Sequence, residues 1–161
     1  MYILNLMYNI SNSYNFYKKY HKNDINILIH IFCIPLIAWS LSVFLSQINL
    51  FRIFNLKVKA NFLLVNIYLL IYTSLNNDYF LPMSIYLFLI YFTSELFVNY
   101  VKNYYYYAFL VHVFSWILQF IGHGVFEGNR PALTDSITQA FIAAPLFSYL
   151  DMKNYFNSFY N

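Results

Sequence analysis

The stretch ILIHIFCIPLIAWSLSVFLSQI, residues 27–48, contains no formally charged residue. As an α-helix it would be about 33 Å long, which is enough to cross the hydrocarbon of a bilayer. Its proline, Pro35, removes one backbone hydrogen bond and is predicted to kink the helix, a distortion that membranes tolerate when neighbouring groups bond to the freed carbonyl. The sequence therefore predicts a transmembrane helix here.

The composition also indicates a membrane-embedded chain. Of the 161 residues, 61% are hydrophobic and only 9% are charged, whereas soluble proteins average about a quarter charged. The single cysteine, Cys33, excludes an internal disulfide framework. The formal net charge of +3 is scattered, without the block of like charge that is typical of a nucleic-acid-binding arm. The sequence thus predicts one integral membrane domain and no nucleic-acid partner.

Further apolar runs follow the first, after a polar link at residues 49–60. The runs at about 61–75 and 79–98 are separated by three polar residues, which predicts a tight antiparallel helical hairpin, although the first run is short for a full span. The next run, residues 104–121, opens with four tyrosines whose rings suit the membrane–water interface. Residues 135–150, broken by Pro145, are predicted to be amphipathic or re-entrant.

Together these runs predict an all-α, polytopic membrane protein with about four transmembrane helices and a C-terminal interfacial or re-entrant helix. We assign residues 17–151 to the membrane-embedded domain, 1–16 to a poorly ordered N-terminal segment and 152–161 to a C-terminal tail. Four crossings place both chain ends on the same side of the membrane. The distribution of lysine and arginine slightly favours a cytosolic location for the site.

A second stretch, WILQFIGHGVFEGNRPALTDS at residues 116–136, marks where an apolar run gives way to polar chemistry. Four polar residues follow one another here at spacings that would share one helix face: Gln119, His123, Glu127 and Arg130. Because Gly122 and Gly124 flank His123, we expect the helix to end there, with Glu127 and Arg130 on the following turn and Pro131 opening the next helix. This pattern predicts an active site at the membrane surface.

The remaining histidines differ in their settings. His30 stands in an apolar stretch, where polar side chains usually face the protein interior or a cavity; it is a candidate site residue, and the alternative is a neutral imidazole bonded to a backbone carbonyl. His21 lies in a lysine-rich approach and is a weaker candidate, because it could simply be solvated. His112 lies about three helical turns, roughly 16 Å, before His123 and cannot share a metal with it on a regular helix. It is predicted to be a hydrogen-bonded or helix-contact residue.

Two segments carry a family resemblance: FYKKYHKNDINILIHIFCIPLI at residues 16–37 and WILQFIGHGVFEGNRPALTDSITQAFIAAPLF at residues 116–147. They resemble the two signature regions of the 2-hydroxy fatty acid dioxygenases of the endoplasmic reticulum membrane. The resemblance implies an iron(II)-dependent enzyme of fatty acid α-oxidation and phytosphingosine degradation, which shortens a 2-hydroxy fatty acid by one carbon with O₂. The motif positions that correspond are His21, His30 and His123, which the resemblance implies as iron ligands. They are accompanied by Asn26, Gln119, Glu127 and Pro131, of which the first three are candidate catalytic residues.

The residue types agree with this chemistry. Non-haem iron that reacts with O₂ needs two or three imidazole or carboxylate ligands and open positions. Glu127 is predicted either to complete such a ligand set or to orient a ligand imidazole. Arg130 is predicted to clamp a substrate carboxylate, and the alternative is an arginine that binds lipid headgroups.

Two other classes of protein share some of these features. A di-iron lipid desaturase or hydroxylase needs more histidines, grouped in closely spaced boxes, than the four of this chain. A non-catalytic membrane scaffold or lipid-binding protein would explain the composition. It gives no reason for the grouping of His123, Glu127 and Arg130.

Overall fold

The computed structural model describes residues 10–75, 77–129 and 139–160. Within them the chain is mostly helical and contains one two-stranded β-hairpin. The elements in chain order are α1 (Ile10–Lys18), α2 (Asp24–Leu45), β1 (Asn49–Ile53), β2 (Leu56–Lys59), α3 (Ala60–Leu75), α4 (Phe80–Tyr100), α5 (Tyr104–Ile121) and α6 (Ala144–Tyr160). Short 3₁₀ or π-helical segments lie before α4, after α5 and before α6.

Three helical segments among the described residues are long and apolar enough to cross a membrane: Asp24–Leu45, Phe80–Tyr100 and Tyr104–Glu127. The run expected at 61–75 forms an apolar helix that is shorter than these. The predicted class, a polytopic helical membrane protein, is therefore confirmed in its general form, and the apolar helices indicate a membrane protein.

The chain divides into two compact units, and each is described by itself. One comprises Met1–Pro35 and Ser115–Asn161, and the other comprises Leu36–Phe114. Helices α2 and α5 each run from one unit into the other. All three candidate metal-binding histidines belong to the first unit.

In the second unit, α3 and α4 pack against each other across the short link, as the hairpin prediction required. Several polar side chains of this unit are hydrogen-bonded to one another. Glu95 accepts hydrogen bonds from Lys59 Nζ and, at 2.8 Å, from Asn61 Nδ2. The hydroxyls of Ser42 and Ser94 bond to each other at 2.7 Å.

The polar link expected at residues 49–60 is instead an antiparallel hairpin of β1 and β2. Phe54 and Asn55 occupy its turn with φ of 45° and 68°, the left-handed backbone that two-residue hairpin turns of type I′ require. The prediction of a link failed because each strand is only four or five residues long and most of its side chains are exposed, which leaves little alternation to detect.

The predicted end of the fourth helix at His123 is wrong. The helix continues from α5 as a π-helix over Gly122–Glu127 and ends at Gly128, whose φ is 68°. The N–H groups of Gly128 and Asn129 both bond to the His123 carbonyl, so this carbonyl is satisfied at the helix end. Gly128 supplies the left-handed turn that was expected at the glycines beside His123.

Helices extend into both of the predicted terminal segments, and the assignment of a poorly ordered N-terminal segment and a C-terminal tail stays a prediction. Residues 10–18 of the N-terminal region form α1, and residues 152–160 of the predicted tail belong to α6. Pro145 does not break the predicted C-terminal segment: it is the second residue of α6, which follows directly on the π-helical segment Gln139–Ala143. Residues 135–138 of that segment lie outside the described residues.

Candidate metal centre

The turn between α1 and α2, helix α2 itself and the π-helix after α5 position the three histidines. Asn23 caps α2, because its Oδ1 accepts the backbone N–H of Ile25 at 2.9 Å. His21 lies in the turn between α1 and α2, and His30 lies within α2. The π-helix after α5 carries His123.

The three histidines converge. Their ring centroids lie 4.4 Å apart for His21 and His30, 4.8 Å for His21 and His123, and 4.9 Å for His30 and His123. One nitrogen of each ring lies within 4.8 Å of the others, which makes this the potential metal-binding group among the residues described. All three side chains are buried, with 3%, 4% and 3% of their surface exposed. Imidazoles this close together and this well shielded from solvent form a site suited to a cation.

Hydrogen bonds fix the tautomers of two of the rings. His21 Nδ1 lies 2.9 Å from the Tyr17 carbonyl and His30 Nδ1 lies 2.8 Å from the Asn26 carbonyl. A carbonyl can only accept, so each Nδ1 carries the proton and each Nε2 keeps its lone pair. Metal-binding histidines are typically held in this way.

Buried atoms without partners show that these residues fit a metal ion. His21 Nε2 and His123 Nδ1 are buried and have no hydrogen-bond partner. Leaving a buried polar atom unsatisfied costs about 1–3 kcal/mol, and a bound cation would remove that cost. Two ligand nitrogens bound to one ion with 2.0–2.1 Å bonds lie roughly 3–3.5 Å apart, so the three ring nitrogens, now within 4.8 Å of one another, would move closer together on binding.

The protonation of His21 also suits metal binding. Burial lowers the pKa of His21 to about 3, against the opposing effect of its bond to the Tyr17 carbonyl. His21 is therefore neutral near pH 7, which is the form that ligates metals.

Glu127 has a different position from the histidines. Its Oε1 accepts the Lys22 N–H at 2.9 Å, and its Oε2 accepts the Asn23 N–H at 3.0 Å and Asn26 Nδ2 at 3.1 Å. The carboxylate thus ties the segment that follows His21 to the end of the π-helix.

Asn26 and Gln119, the accompanying motif residues, are buried in the same unit. Asn26 Oδ1 and Gln119 Nε2 have no hydrogen-bond partner. A methyl group at Gly122 would overlap Asn26 Oδ1 and approach Ile29 Cδ1 to 3.4 Å. Gly122 therefore permits the close contact between α2 and the start of the π-helix.

Two sequence predictions concern residues elsewhere. Arg130 and Pro131 lie outside the described residues, so the carboxylate clamp stays a prediction. His112 Nδ1 lies 2.8 Å from Ser40 Oγ in the second unit, which confirms the expectation that it is a hydrogen-bonded residue. His112 does not belong to the histidine cluster.

Sequence reasoning missed Tyr17 and Asp151. The Tyr17 ring stacks on His21 with centroids 3.8 Å apart, and its hydroxyl donates to Asp151 Oδ2 at 2.9 Å. The four-residue spacing of Tyr17 and His21 was a usable signal for their contact. No pattern in the sequence connects either residue to Asp151, which lies more than a hundred positions later.

A helical membrane protein with a buried three-histidine cluster belongs to the class of proteins that can hold a non-haem metal. The chain belongs to the Mpo1-like family, described as 2-hydroxy-palmitic acid dioxygenase Mpo1-like, whose sequence profile matches residues 7–154. It is 33% identical over 134 residues to the 2-hydroxy-palmitic acid dioxygenase MPO1 of Saccharomyces cerevisiae, covering 82% of this chain and 72% of that protein. No solved structure matches the chain.

Proposed function

We propose that the protein is an iron(II)-dependent dioxygenase that converts 2-hydroxy fatty acids to fatty acids one carbon shorter. The reaction is a step of fatty acid α-oxidation and of phytosphingosine catabolism. Family membership supports the reaction class. The observation that carries the proposal for this chain is the convergence of His21, His30 and His123 in a buried site where ring nitrogens of His21 and His123 have no hydrogen-bond partner.

The overall reaction needs no further reductant. Converting R–CH(OH)–COOH and O₂ to R–COOH, CO₂ and H₂O balances in atoms. Carbon 2 rises from the alcohol to the carboxyl oxidation level and carbon 1 leaves as CO₂, and together they lose the electrons that O₂ gains on full reduction.

The residues of the chain would divide the work. His21, His30 and His123 would hold iron(II), which supplies the activation of O₂ when bound. Three protein ligands leave positions for the hydroxyl and carboxylate oxygens of the substrate and for O₂. The alkyl chain of the substrate would lie between apolar helices, where burial is favourable by about 0.8 kcal/mol per CH₂.

Product analysis tests the proposal. Purified protein incubated with Fe(II), O₂ and 2-hydroxypalmitate is expected to form the C15 acid, with one O₂ consumed per product. A chain that carries iron but forms no C15 acid from 2-hydroxy fatty acids of any length would contradict the proposal. Absence of both iron and turnover would support the alternative of a non-catalytic lipid-binding or scaffold protein.

Replacing Glu127 with glutamine is expected to lower iron occupancy or turnover at every substrate concentration. Glutamine keeps one acceptor oxygen, but its NH₂ group would face an N–H donor from which a carboxylate oxygen of Glu127 accepts a hydrogen bond. Loss of charged hydrogen bonds of this kind is worth about 1.5–3 kcal/mol, or roughly ten- to a hundredfold in kcat/KM. Glu95→Gln is the matched control, because Glu95 bonds to Lys59 and Asn61 in the other unit. Equal behaviour of the two variants would remove Glu127 from the site.

Arg130→Gln is expected to leave iron in place and mainly raise the apparent KM. A carboxylate clamp contributes binding in the ground state as well as in the transition state, so its loss weakens substrate binding without removing the metal. Steady-state kinetics and iron analysis measure the two effects separately. Arg52→Gln, in β1, is the control for loss of an arginine elsewhere. If Arg130→Gln loses iron or has unchanged kinetics, the clamp is wrong and a headgroup contact is the better explanation.

We propose that the protein is a multi-pass enzyme of the endoplasmic reticulum membrane with its site facing the cytosol. Family resemblance supports the compartment, and the weak bias of lysine and arginine supports the orientation. Four crossings, with α3 as the short one, leave residues 1 and 161 on the same side. Accessibility of terminal tags in sealed microsomes is expected to show both on the cytosolic side. Tags on opposite sides would mean an odd number of crossings.

A further inference from the structure

A buried carboxylate lies next to the candidate metal centre. Asp151, in α6, is 1% exposed. It accepts hydrogen bonds from Tyr14 Oη at 2.6 Å, from Tyr17 Oη at 2.9 Å and from Lys18 Nζ at 3.3 Å. Burying a charged group is costly unless it is hydrogen-bonded and paired, and these three donors meet that requirement. The carboxylate therefore fixes α1 against α6.

Tyr17, whose hydroxyl is bonded to Asp151, contacts His21 in two ways. Its ring stacks on the imidazole with centroids 3.8 Å apart and planes 17° from parallel. Its backbone carbonyl accepts the His21 Nδ1 proton at 2.9 Å. The first contact restrains the ring plane and the second fixes the tautomer, leaving Nε2 as the nitrogen with the free lone pair.

His21 depends on such contacts more than the other two histidines do. His30 lies within α2 and His123 within the π-helix, so helical backbone fixes where their side chains begin. His21 lies in the turn between α1 and α2, outside any helix. The orientation of its ring is therefore set mainly by what packs on it.

We propose that Tyr17, anchored through its hydroxyl to Asp151, is a positioning residue that holds the His21 imidazole in the orientation for metal binding. The inference rests on the proposed metal centre and adds two residues that do not touch the metal. Through them, α6 at the C-terminal end of the chain controls the geometry of a ligand near the N-terminal end. Loss of partners of this kind typically lowers metal affinity about 10–100-fold.

The test compares three variants with the wild-type full chain. Tyr17→Leu removes the stacked ring, Tyr17→Phe keeps the ring and removes the hydroxyl, and Asp151→Asn removes the charge that anchors it. Affinity for Fe(II) is measured by competition with a chelator, and the absorption spectrum of the Co(II)-loaded protein reports ligand geometry. Tyr17→Leu is expected to lose about 10–100-fold in affinity and to change the Co(II) spectrum. Tyr17→Phe and Asp151→Asn are expected to shift both in the same direction by less.

Tyr104→Phe is the matched control for loss of a tyrosine hydroxyl. That hydroxyl donates to Gln47 Oε1 at 3.1 Å in the other unit, so its loss should change neither affinity nor spectrum. A purely structural role for Tyr17 would reduce the folded fraction while the folded protein kept the wild-type spectrum and affinity. If Tyr17→Leu does not fold, Tyr17→Phe and Asp151→Asn decide the question.

Two failures are distinguishable. Wild-type protein that binds neither Fe(II) nor Co(II) would contradict the proposed function. Wild-type protein that binds both, with unchanged affinity and spectrum in the folded Tyr17 and Asp151 variants, would overturn the positioning role and leave the function standing.

Discussion

Alanine at any one of His21, His30 and His123 is expected to abolish stoichiometric iron binding and reduce turnover to background. Each substitution removes one of three ligands from a site that the chain holds together by burial and hydrogen bonds. Changing a residue that merely orients a ligand costs about 10–100-fold, so removing a ligand should cost more. Iron per chain, measured on purified variants, gives the result without depending on activity.

The chain offers a control for these variants in its fourth histidine. His112 bonds to Ser40 outside the cluster, so His112→Ala should keep its iron and most of its turnover. Undiminished iron in all three cluster variants would refute the ligand assignment. Iron loss in the His112 variant as well would point to general unfolding.

Gly122→Ala is expected to lower both the stability and the iron content of the protein, although it adds only a methyl group. That methyl overlaps Asn26 Oδ1, and moving Asn26 away breaks its 3.1 Å bond to Glu127. Overpacking of this kind typically costs about 1–3 kcal/mol of stability. The thermal unfolding temperature in detergent and the iron content should both fall.

Gly124→Ala is the matched comparison, because a methyl group at Gly124 meets no atom within 4 Å. It should retain wild-type stability and iron. If both glycine variants behave alike, the close packing of Gly122 against Asn26 does not control the site.

Much of the helical layout could be predicted because long apolar runs are a local property of the sequence. The run at 27–48 corresponds to α2 at Asp24–Leu45, and the paired runs at 61–75 and 79–98 correspond to α3 and α4. The three histidines that the structure brings together were all named from the sequence, His21 only through the family resemblance. Both His30 and His123 interrupt apolar segments, where a polar group is costly unless it has a role.

The remaining features depend on contacts that the sequence does not encode locally. The chain continues as a π-helix over Gly122–Glu127, and Gly122, which was expected to end the helix, packs closely against Asn26 of α2. The link between Asp151 and Tyr17 joins residues 134 positions apart. Glu127 could be chosen as a site residue, but its backbone partners Lys22 and Asn23 could not be inferred from side-chain patterns.

The most direct test of the central claim, an iron centre held by three histidines that receives the substrate, is electron paramagnetic resonance of the Fe(II) protein exposed to nitric oxide. The account predicts the signal of a high-spin iron–nitrosyl complex that changes when 2-hydroxypalmitate is added, does not change with palmitate, and is absent in His30→Ala. An iron-loaded protein whose signal is insensitive to 2-hydroxypalmitate, or whose signal survives in His30→Ala, would contradict it.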